Sequence, residues 1–192
     1  MKKIIKVLFL VIWTFLVINI AISFCFSDDE SPEVLITSVG QSPDARMINI
    51  VAKKYQLKVD YQQLAQPDII KNYKIVVIVV GGSAKGLGAA GIDKEAELAR
   101  ATALIKEIKV RSVKLLVMHI GGEARRGALS DSFLNEVVPY ADHLIIVELG
   151  NKDNYFTNIS KEKEIPLEIV DKILKTGELI QKYFQNNKVI SC

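Results

Sequence analysis

Residues 74–93 read KIVVIVVGGSAKGLGAAGID, an unbroken apolar run followed by a segment rich in glycine. An apolar run without alternation is typical of a strand that is buried on both faces, as strands of a parallel sheet are. In open parallel sheets, the loops that follow the strands gather at the carboxyl edge, where ligands bind. The stretch therefore predicts an α/β fold with a binding site close to the loop 81–93.

The same succession of strand and helix recurs along the chain. Strands are predicted at 34–39, 57–61, 74–80, 113–120, 143–149 and 165–170. Helices are predicted at 43–55, 67–72, 93–109, 130–138, 157–164 and 173–184, the longer ones from apolar residues at helical spacing. Strands that alternate with helices imply right-handed crossovers and a sheet covered on both faces. We therefore predict a three-layer sandwich with a mostly parallel sheet of about six strands, in a flavodoxin-like or Rossmann-like order.

Capping residues mark the starts of three predicted helices. Ser42 suits the N-cap of the first helix, with Pro43 at its first position, where a proline loses no hydrogen bond. Asp93 is predicted to cap the helix that follows the glycine-rich loop. Ser130 or Asp131 is predicted to cap the helix after the fourth strand.

The first 27 residues have the pattern of an export signal. Three lysines precede an apolar run over residues 7–26, and acidic residues follow at once. This pattern predicts a signal peptide or an N-terminal membrane anchor at 1–27, with the body of the protein exported. A lipoprotein is the less favoured alternative, because a bulky phenylalanine precedes Cys25. Residues 28–192 are then expected to form a single α/β domain.

Charge and composition narrow the classes of partner. The full chain carries 25 Lys and Arg against 22 Asp and Glu, and loss of Lys2, Lys3 and Lys6 with the signal leaves 22 of each sign. A net charge near zero lacks the basic footprint of a nucleic-acid binder. Two histidines without a cysteine pair do not supply a transition-metal site, so we expect no metal and no cofactor.

The glycine-rich loop is the first candidate for binding. Its backbone amides, with Ser83 and Lys85, could form a nest that attracts a phosphate or carboxylate. The alternative is a flexible crossover whose glycines only permit unusual backbone angles. Gly86, Gly88 and Gly91 spell the dinucleotide pattern G-x-G-x-x-G, but they do not stand in the immediate turn after a first strand. We therefore do not favour a nucleotide site.

A second candidate segment, HIGGEARRGALSD at 119–131, follows the fourth predicted strand. His119 stands at the strand end, where it could act as a general acid or base or simply be a structural histidine. One of Arg125 and Arg126 could clamp an anion through two parallel hydrogen bonds, while the other lies at the surface and pairs with Glu123.

Further polar residues are predicted at the same edge of the sheet. Gln41 follows the first strand and Asn151 the fifth, although a turn and helix cap is an equal alternative for Asn151. The predicted ligand-binding set is Gln41, Ser83, Lys85, Gly86, His119, Gly121, Gly122, Arg125, Arg126, Ser130 and Asn151.

Three segments taken together carry a family resemblance. They are VGQSPDARMINIVAKK at 39–54, GGSAKGLGAAGIDKEAELAR at 81–100 and MHIGGEARRGALSD at 118–131. As a set they resemble an uncharacterised family of exported bacterial proteins, domain-of-unknown-function family 6305. The resemblance continues through 150–160, so it covers nearly all of the chain after the signal. It implies export and a single domain, and it implies no activity, because none is established for that family.

These observations predict an exported protein that binds a small anionic or polar metabolite at the carboxyl edge of its sheet. One alternative is a hydrolase or transferase of small substrates that uses His119 as acid or base. The other is an envelope protein-interaction module, in which the same loops contact a protein partner. If the N-terminal segment is not cleaved, it anchors the protein in the membrane.

Overall fold

The computed structural model describes residues 32–189, and a six-stranded parallel sheet forms its centre. The strands are β1 Val34–Val39, β2 Asp60–Tyr61, β3 Ile75–Val80, β4 Lys114–His119, β5 His143–Val147 and β6 Leu167–Val170. They lie in the order β2-β1-β3-β4-β5-β6, and every neighbouring pair is parallel. The predicted fold class is confirmed, and the strand order is of the flavodoxin-like type.

Helices cover both faces of this sheet. The described residues contain α1 Asp44–Lys54, α2 Ala84–Ala89, α3 Lys94–Val110, α4 Ala128–Val137, α5 Tyr155–Lys163 and α6 Thr176–Asn186. Short 3-10 turns lie at Pro67–Asn72, Gly122–Arg125, Val138–Tyr140, Glu148–Gly150 and Ile173–Lys175. Helices α1 and α6 pack on one face, and α3, α4 and α5 pack on the other. The result is the expected three-layer sandwich.

Strand β3 shows why the unbroken apolar run decides the fold. Its six residues are completely buried, and it pairs with β1 on one side and β4 on the other. Ile75, Val77 and Val79 contact the α1 and α6 layer. The three residues that alternate with them contact the opposite layer. Both faces of the strand therefore need apolar side chains, as the sequence predicted.

Several predicted boundaries move in the structure. Residues 84–89 of the glycine-rich loop are helix α2, because the Ser83 hydroxyl caps it by accepting a hydrogen bond from the Gly86 amide at 3.0 Å. The second strand contains only Asp60 and Tyr61. Asp93 caps α3 as predicted, accepting from the Ala96 amide at 2.7 Å.

Two predicted caps are wrong. Helix α1 begins at Asp44 with Pro43 in the N-cap position, one residue later than expected. Helix α4 begins at Ala128, because Gly127 takes a left-handed φ of 109° and turns the chain into the helix there. Ser130 and Asp131 consequently lie inside the first turn of α4.

The predicted signal or anchor at 1–27 lies outside the described residues. Among residues 32–189, no helix has the length and apolar character needed to cross a membrane.

Candidate functional site

The polar segments that follow β1, β3 and β4 meet at the carboxyl edge of the sheet. The Gly82 amide donates to the Ser130 hydroxyl at 2.9 Å, and the Ser83 amide donates to the Gly40 carbonyl at 2.8 Å. Gln41 and Gly82 also form an isolated β-bridge. Segments that are far apart in sequence thus form one connected surface, as a parallel sheet requires.

A cleft of about 1040 Å³ opens at this edge, between α1, α2 and the segment after β2. Its lining is Gln41, Pro43, Arg46, Asn49, Ile50, Lys53, Tyr61, Gln63, Ser83, Lys85, Gly86, Ala89 and Arg125. Four of these thirteen described residues are arginine or lysine, and none is acidic. The charge of the lining therefore favours a negatively charged occupant.

Helix α1 supplies one wall of the cleft. Arg46, Asn49, Ile50 and Lys53 stand at positions i, i+3, i+4 and i+7, which places them on one face of the helix. Arg46 and Lys53 are exposed. Asn49 is buried, and within residues 32–189 its side-chain oxygen has no hydrogen-bond partner. This wall thus combines two cations with a polar group that is not yet satisfied.

Helix α2 supplies the facing wall, and a glycine fixes its position. A Cβ atom on Gly86 would lie 1.9 Å from the Gln41 carbonyl oxygen, so only glycine permits this close approach. The contact sets α2 against the segment after β1 and presents exposed Lys85 at the rim. Gly86 therefore shapes the cleft through its missing side chain rather than as part of a dinucleotide loop.

Arg125 enters the cleft from the turn after β4. Its Nε atom lies 3.9 Å from Asp44 Oδ1, and its Nη1 atom lies 3.5 Å from the Gly82 carbonyl oxygen. Both contacts are long, so the guanidinium retains hydrogen-bonding capacity for a ligand.

A buried ion pair lies beneath the cleft. Glu97 Oε1 accepts hydrogen bonds from the Gly40 amide at 2.8 Å and from Gln41 Nε2 at 2.9 Å. Arg100 donates to the same carboxylate and to the Ser38 and Ala65 carbonyl oxygens at 2.6 and 2.7 Å. The pair joins the segments after β1 and β2 and holds Gln41 in its left-handed conformation, with φ 55°.

Sequence reasoning missed this ion pair, although a signal was present. Glu97 and Arg100 lie on the apolar face of α3, and each stands one turn before a buried apolar residue, Ala101 or Leu104. Charged residues on an apolar helix face are seldom buried unless they are paired with each other.

The amides of the glycine-rich segment do not form an open nest. The Gly81 amide donates to the Val39 carbonyl at 2.9 Å, and the Gly82, Ser83 and Gly86 amides are bonded within the protein as well. These groups are already satisfied, so the predicted capture of an anion by them is wrong.

The neighbouring region over β4 and β5 has a different character. Arg126 donates to Asp131 Oδ1 at 2.9 Å, to both oxygens of Asp153 at 2.8 Å and to the Gly150 carbonyl at 2.7 Å. Its guanidinium also lies 5.1 Å from the centre of the Tyr155 ring. Four of the five N–H donors of Arg126 are therefore bonded within the protein. Of the two arginines between which the sequence left the choice open, Arg125 is the one at the cleft.

The predicted surface pairing of an arginine with Glu123 is wrong. Glu123 instead accepts from Lys152 Nζ at 2.7 Å, in an exposed contact.

His119 is a core residue. Its ring has no exposed surface, and its Nδ1 lies 2.9 Å from the Val80 carbonyl oxygen, where a neutral imidazole donates. It stacks on Phe156 with ring centres 5.3 Å apart, and Gly150 packs so closely that a Cβ there would lie 2.5 Å from the ring. Burial lowers the pKa of His119, which favours the neutral form. A ligand in the cleft does not reach this ring.

The remaining predicted residues are held within the protein. The buried Ser130 hydroxyl accepts from the Gly82 amide, and Gly121 packs against the Arg125 side chain. Gly122 is buried in a turn with φ 59°. Asn151 Oδ1 accepts from the Phe156 amide at 2.9 Å, which fits the helix-cap alternative.

The structure thus brings five of the eleven predicted residues to the cleft: Gln41, Ser83, Lys85, Gly86 and Arg125. It adds Arg46, Asn49 and Lys53 from α1. It also adds Tyr61 at the end of β2 and Gln63 just after it. The helical spacing of the α1 residues could have revealed them, because a polar face accompanies the apolar stripe of that helix.

At the opposite edge, a smaller cavity of about 190 Å³ contains His143. Its Nε2 lies 3.0 Å from Glu168 Oε2, so this histidine is held by a neighbouring strand. Across residues 32–189, no three His, Cys, Asp or Glu side chains are grouped so that they could hold a metal ion.

Comparison with known proteins identifies the family. The family model described as Domain of unknown function (DUF6305) matches residues 31–184. The chain belongs to this family. The family resemblance carried by the three sequence segments is confirmed, and no curated protein sequence matches this DUF6305 protein.

Two solved structures resemble the DUF6305 protein weakly. One is the psychrotrophic esterase EstA from Pseudoalteromonas sp. inhibited by monoethylphosphonate, which is 13% identical, with 81% of this chain and 96% of that chain covered and a TM-score of 0.32. The other is AlinE4, an SGNH-hydrolase family esterase, at 9% identity, with 83% and 96% covered and a TM-score of 0.31. Similarities this weak do not inform the function of the present chain.

Proposed function

We propose that this protein binds an organic anion in the cleft at the carboxyl edge of its sheet. The observation that supports the proposal is the charge of the lining, in which Arg46, Lys53, Lys85 and Arg125 stand without a carboxylate among the thirteen lining residues described. Like charges that face one space repel each other, and a bound anion relieves that repulsion.

The cations are also available to a ligand. Among residues 32–189, Arg46, Lys53 and Lys85 form no ion pair, and Arg125 forms only the long contact with Asp44. Charge-assisted hydrogen bonds to a carboxylate or phosphate are therefore open at several points of the lining.

Binding accounts for this geometry without a reaction. A general acid or base must come within hydrogen-bonding distance of the reacting group, and the buried ring of His119 does not face the cleft. The protein-interaction module remains the alternative, and it would be favoured if small anions had no effect in the test below.

Export is part of the same proposal. The predicted signal or anchor at 1–27 would carry the cleft to the extracytoplasmic side, where the ligand would be met. Trp13 is the only tryptophan of the chain, so loss of indole emission from the mature protein would show that the signal is removed.

Isothermal titration with citrate and with inorganic phosphate tests the proposal. We expect the Lys85→Gln plus Arg125→Gln variant to bind citrate at least about tenfold more weakly, since charged hydrogen bonds are lost. The matched control, Arg111→Gln plus Lys161→Gln, removes the same charge from exposed positions outside the cleft and should bind as the natural protein does. Equal weakening in both variants, or no binding of either anion to the natural protein, would refute an anion site here.

A further inference from the structure

The size of the cleft limits what can fill it. Its volume of about 1040 Å³ stands at the upper end of the range for ligand pockets, about 300 to 1,000 Å³. One water occupies about 30 Å³ of the liquid, so phosphate or acetate would fill only a small part. A larger organic molecule would occupy more of the cleft.

The spacing of two cations on α1 indicates the length of that molecule. Arg46 and Lys53 are seven residues apart on the same face, which corresponds to two helical turns and about 10 Å along the axis. Both side chains are exposed and line the cleft. Their positions along the wall suit two separate anionic groups of one ligand.

The surface between these cations has a different chemistry. Ile50 is 53% exposed and faces the same space as the ring of Tyr61. An apolar segment of a ligand would be removed from water there. Asn49, whose side-chain oxygen has no partner within residues 32–189, adds one polar contact point.

The two ends of the cleft are not equivalent. Arg125 approaches the amino-terminal end of α1 through Asp44, two residues before Arg46. The Arg46 end therefore has a second guanidinium nearby, while Lys53 stands a further two turns along the helix. A ligand with one charged group would bind at the first end and leave Lys53 without a partner.

We propose that the cleft selects an elongated organic dianion, with two anionic groups about 10 Å apart joined by a largely apolar spacer. This inference rests on the proposed function and specifies the ligand class of the same site. One anionic group binds near Arg46 and Arg125, the other binds Lys53, and the spacer lies across Ile50 and Tyr61.

Three simple acids test the proposal by isothermal titration. Decanedioate has two carboxylates roughly two helical turns apart when extended. Butanedioate has the same charge on a short spacer, and decanoate has a long apolar chain with one carboxylate. We expect decanedioate to bind at least about tenfold more tightly than either, since only it satisfies both ends at once.

Two neighbouring lysines provide the variant and its control. Lys53→Gln should remove the advantage of decanedioate over decanoate, while Lys54→Gln, an exposed lysine outside the lining, should preserve it. Thermal unfolding of both variants checks that the fold is retained.

Each other outcome is decisive. Equal affinity for butanedioate and decanedioate, or for decanoate and decanedioate, would overturn the dianion proposal while anion binding as such stands. An equal effect of Lys53→Gln on decanedioate and decanoate would overturn it as well. If none of the acids binds and citrate also fails, the proposed function itself is wrong.

Discussion

Arg125 and Arg126 are neighbours in sequence, and the structure gives them opposite roles. Arg126 is surrounded by the carboxylates of Asp131 and Asp153 and by the Gly150 carbonyl, all at 2.9 Å or less. Arg125 faces the cleft with contacts of 3.5 Å and longer. Whether a charged residue stabilises the fold or remains free for a ligand is thus decided by the partners that other elements supply.

The same difference separates the two halves of the carboxyl edge. Over β4 and β5, helices α4 and α5 contribute acids and caps that satisfy Arg126 and Asn151, and His119 is enclosed. Over β1 and β3, helices α1 and α2 present Arg46 and Lys85 without acids in the lining described. We infer that the half over β4 and β5 stabilises the fold, and we propose that the half over β1 and β3 binds the anion.

The largest effect on stability is expected beneath the cleft. Glu97→Gln leaves the buried Arg100 guanidinium without its counter-ion, so the free energy of unfolding should fall by about 3 to 5 kcal/mol. Urea denaturation measures this change in the free energy of unfolding. Glu107→Gln is the control, because its partner Arg111 is exposed directly after the end of the same helix and the expected loss is below about 1 kcal/mol. Similar losses of unfolding free energy in the two variants would mean that the buried pair does not stabilise the segment at Gly40 and Gln41 beneath the cleft.

His119→Asn should have the next largest effect. Asparagine can still donate towards the Val80 carbonyl, but the stacking on Phe156 is lost and a void remains, so we expect a loss of about 2 kcal/mol. Citrate binding should not change, because the ring lies outside the cleft. A variant that folds normally and loses binding would instead place His119 in the functional site.

The same histidine should make the natural protein sensitive to mild acid. Burial lowers its pKa in the folded state below 6.5, so the unfolded chain binds a proton more readily. The free energy of unfolding should therefore decrease as the pH falls below 6.5, by up to about 1.4 kcal/mol per pH unit. Urea denaturation across this range should show a shallower dependence in His119→Asn. Parallel pH profiles for the two proteins would contradict a buried neutral imidazole.

Asp153→Asn should have the smallest effect. Its hydrogen bonds with Arg126 lower the pKa of Asp153 below 3.8, so its stabilisation is present at neutral pH and is lost as the pH falls through that lowered pKa. More than half of the side chain is exposed, so the loss at neutral pH should be below about 1 kcal/mol. Urea denaturation should show that this loss vanishes in strong acid. A loss independent of pH would mean that the ion pair is not its source.

Much of the fold could be predicted from the sequence, because burial leaves local patterns. The apolar run of β3 predicted a strand buried on both faces, and parallel topology then required the polar segments after β1, β3 and β4 to meet at one edge. The helix α2 was missed, because glycines have low helix propensity and its cap from Ser83 is a single contact.

The division of the edge could not be predicted, because it depends on contacts between distant elements. Arg126 meets Asp153 across 27 residues, and Glu97 meets Gln41 across 56. The place of Glu97 on the apolar face of α3 indicates burial, but no local pattern identifies Gln41 or Asp153 as the partner. The α1 wall was a different omission, since the spacing of Arg46 and Lys53 was visible and only their partner across the cleft was not.

Parallel measurements on Arg125→Gln and Arg126→Gln test most directly whether one half of the edge binds the ligand and the other half stabilises the fold. Arg125→Gln should weaken citrate binding about tenfold with little change in the free energy of unfolding, because its contacts with the protein are long. Arg126→Gln should lower that free energy by about 1 to 3 kcal/mol and leave citrate binding unchanged, because its partners belong to the protein. Loss of citrate binding in Arg126→Gln, with none in Arg125→Gln, would show that the two halves of the edge have been assigned the wrong way round.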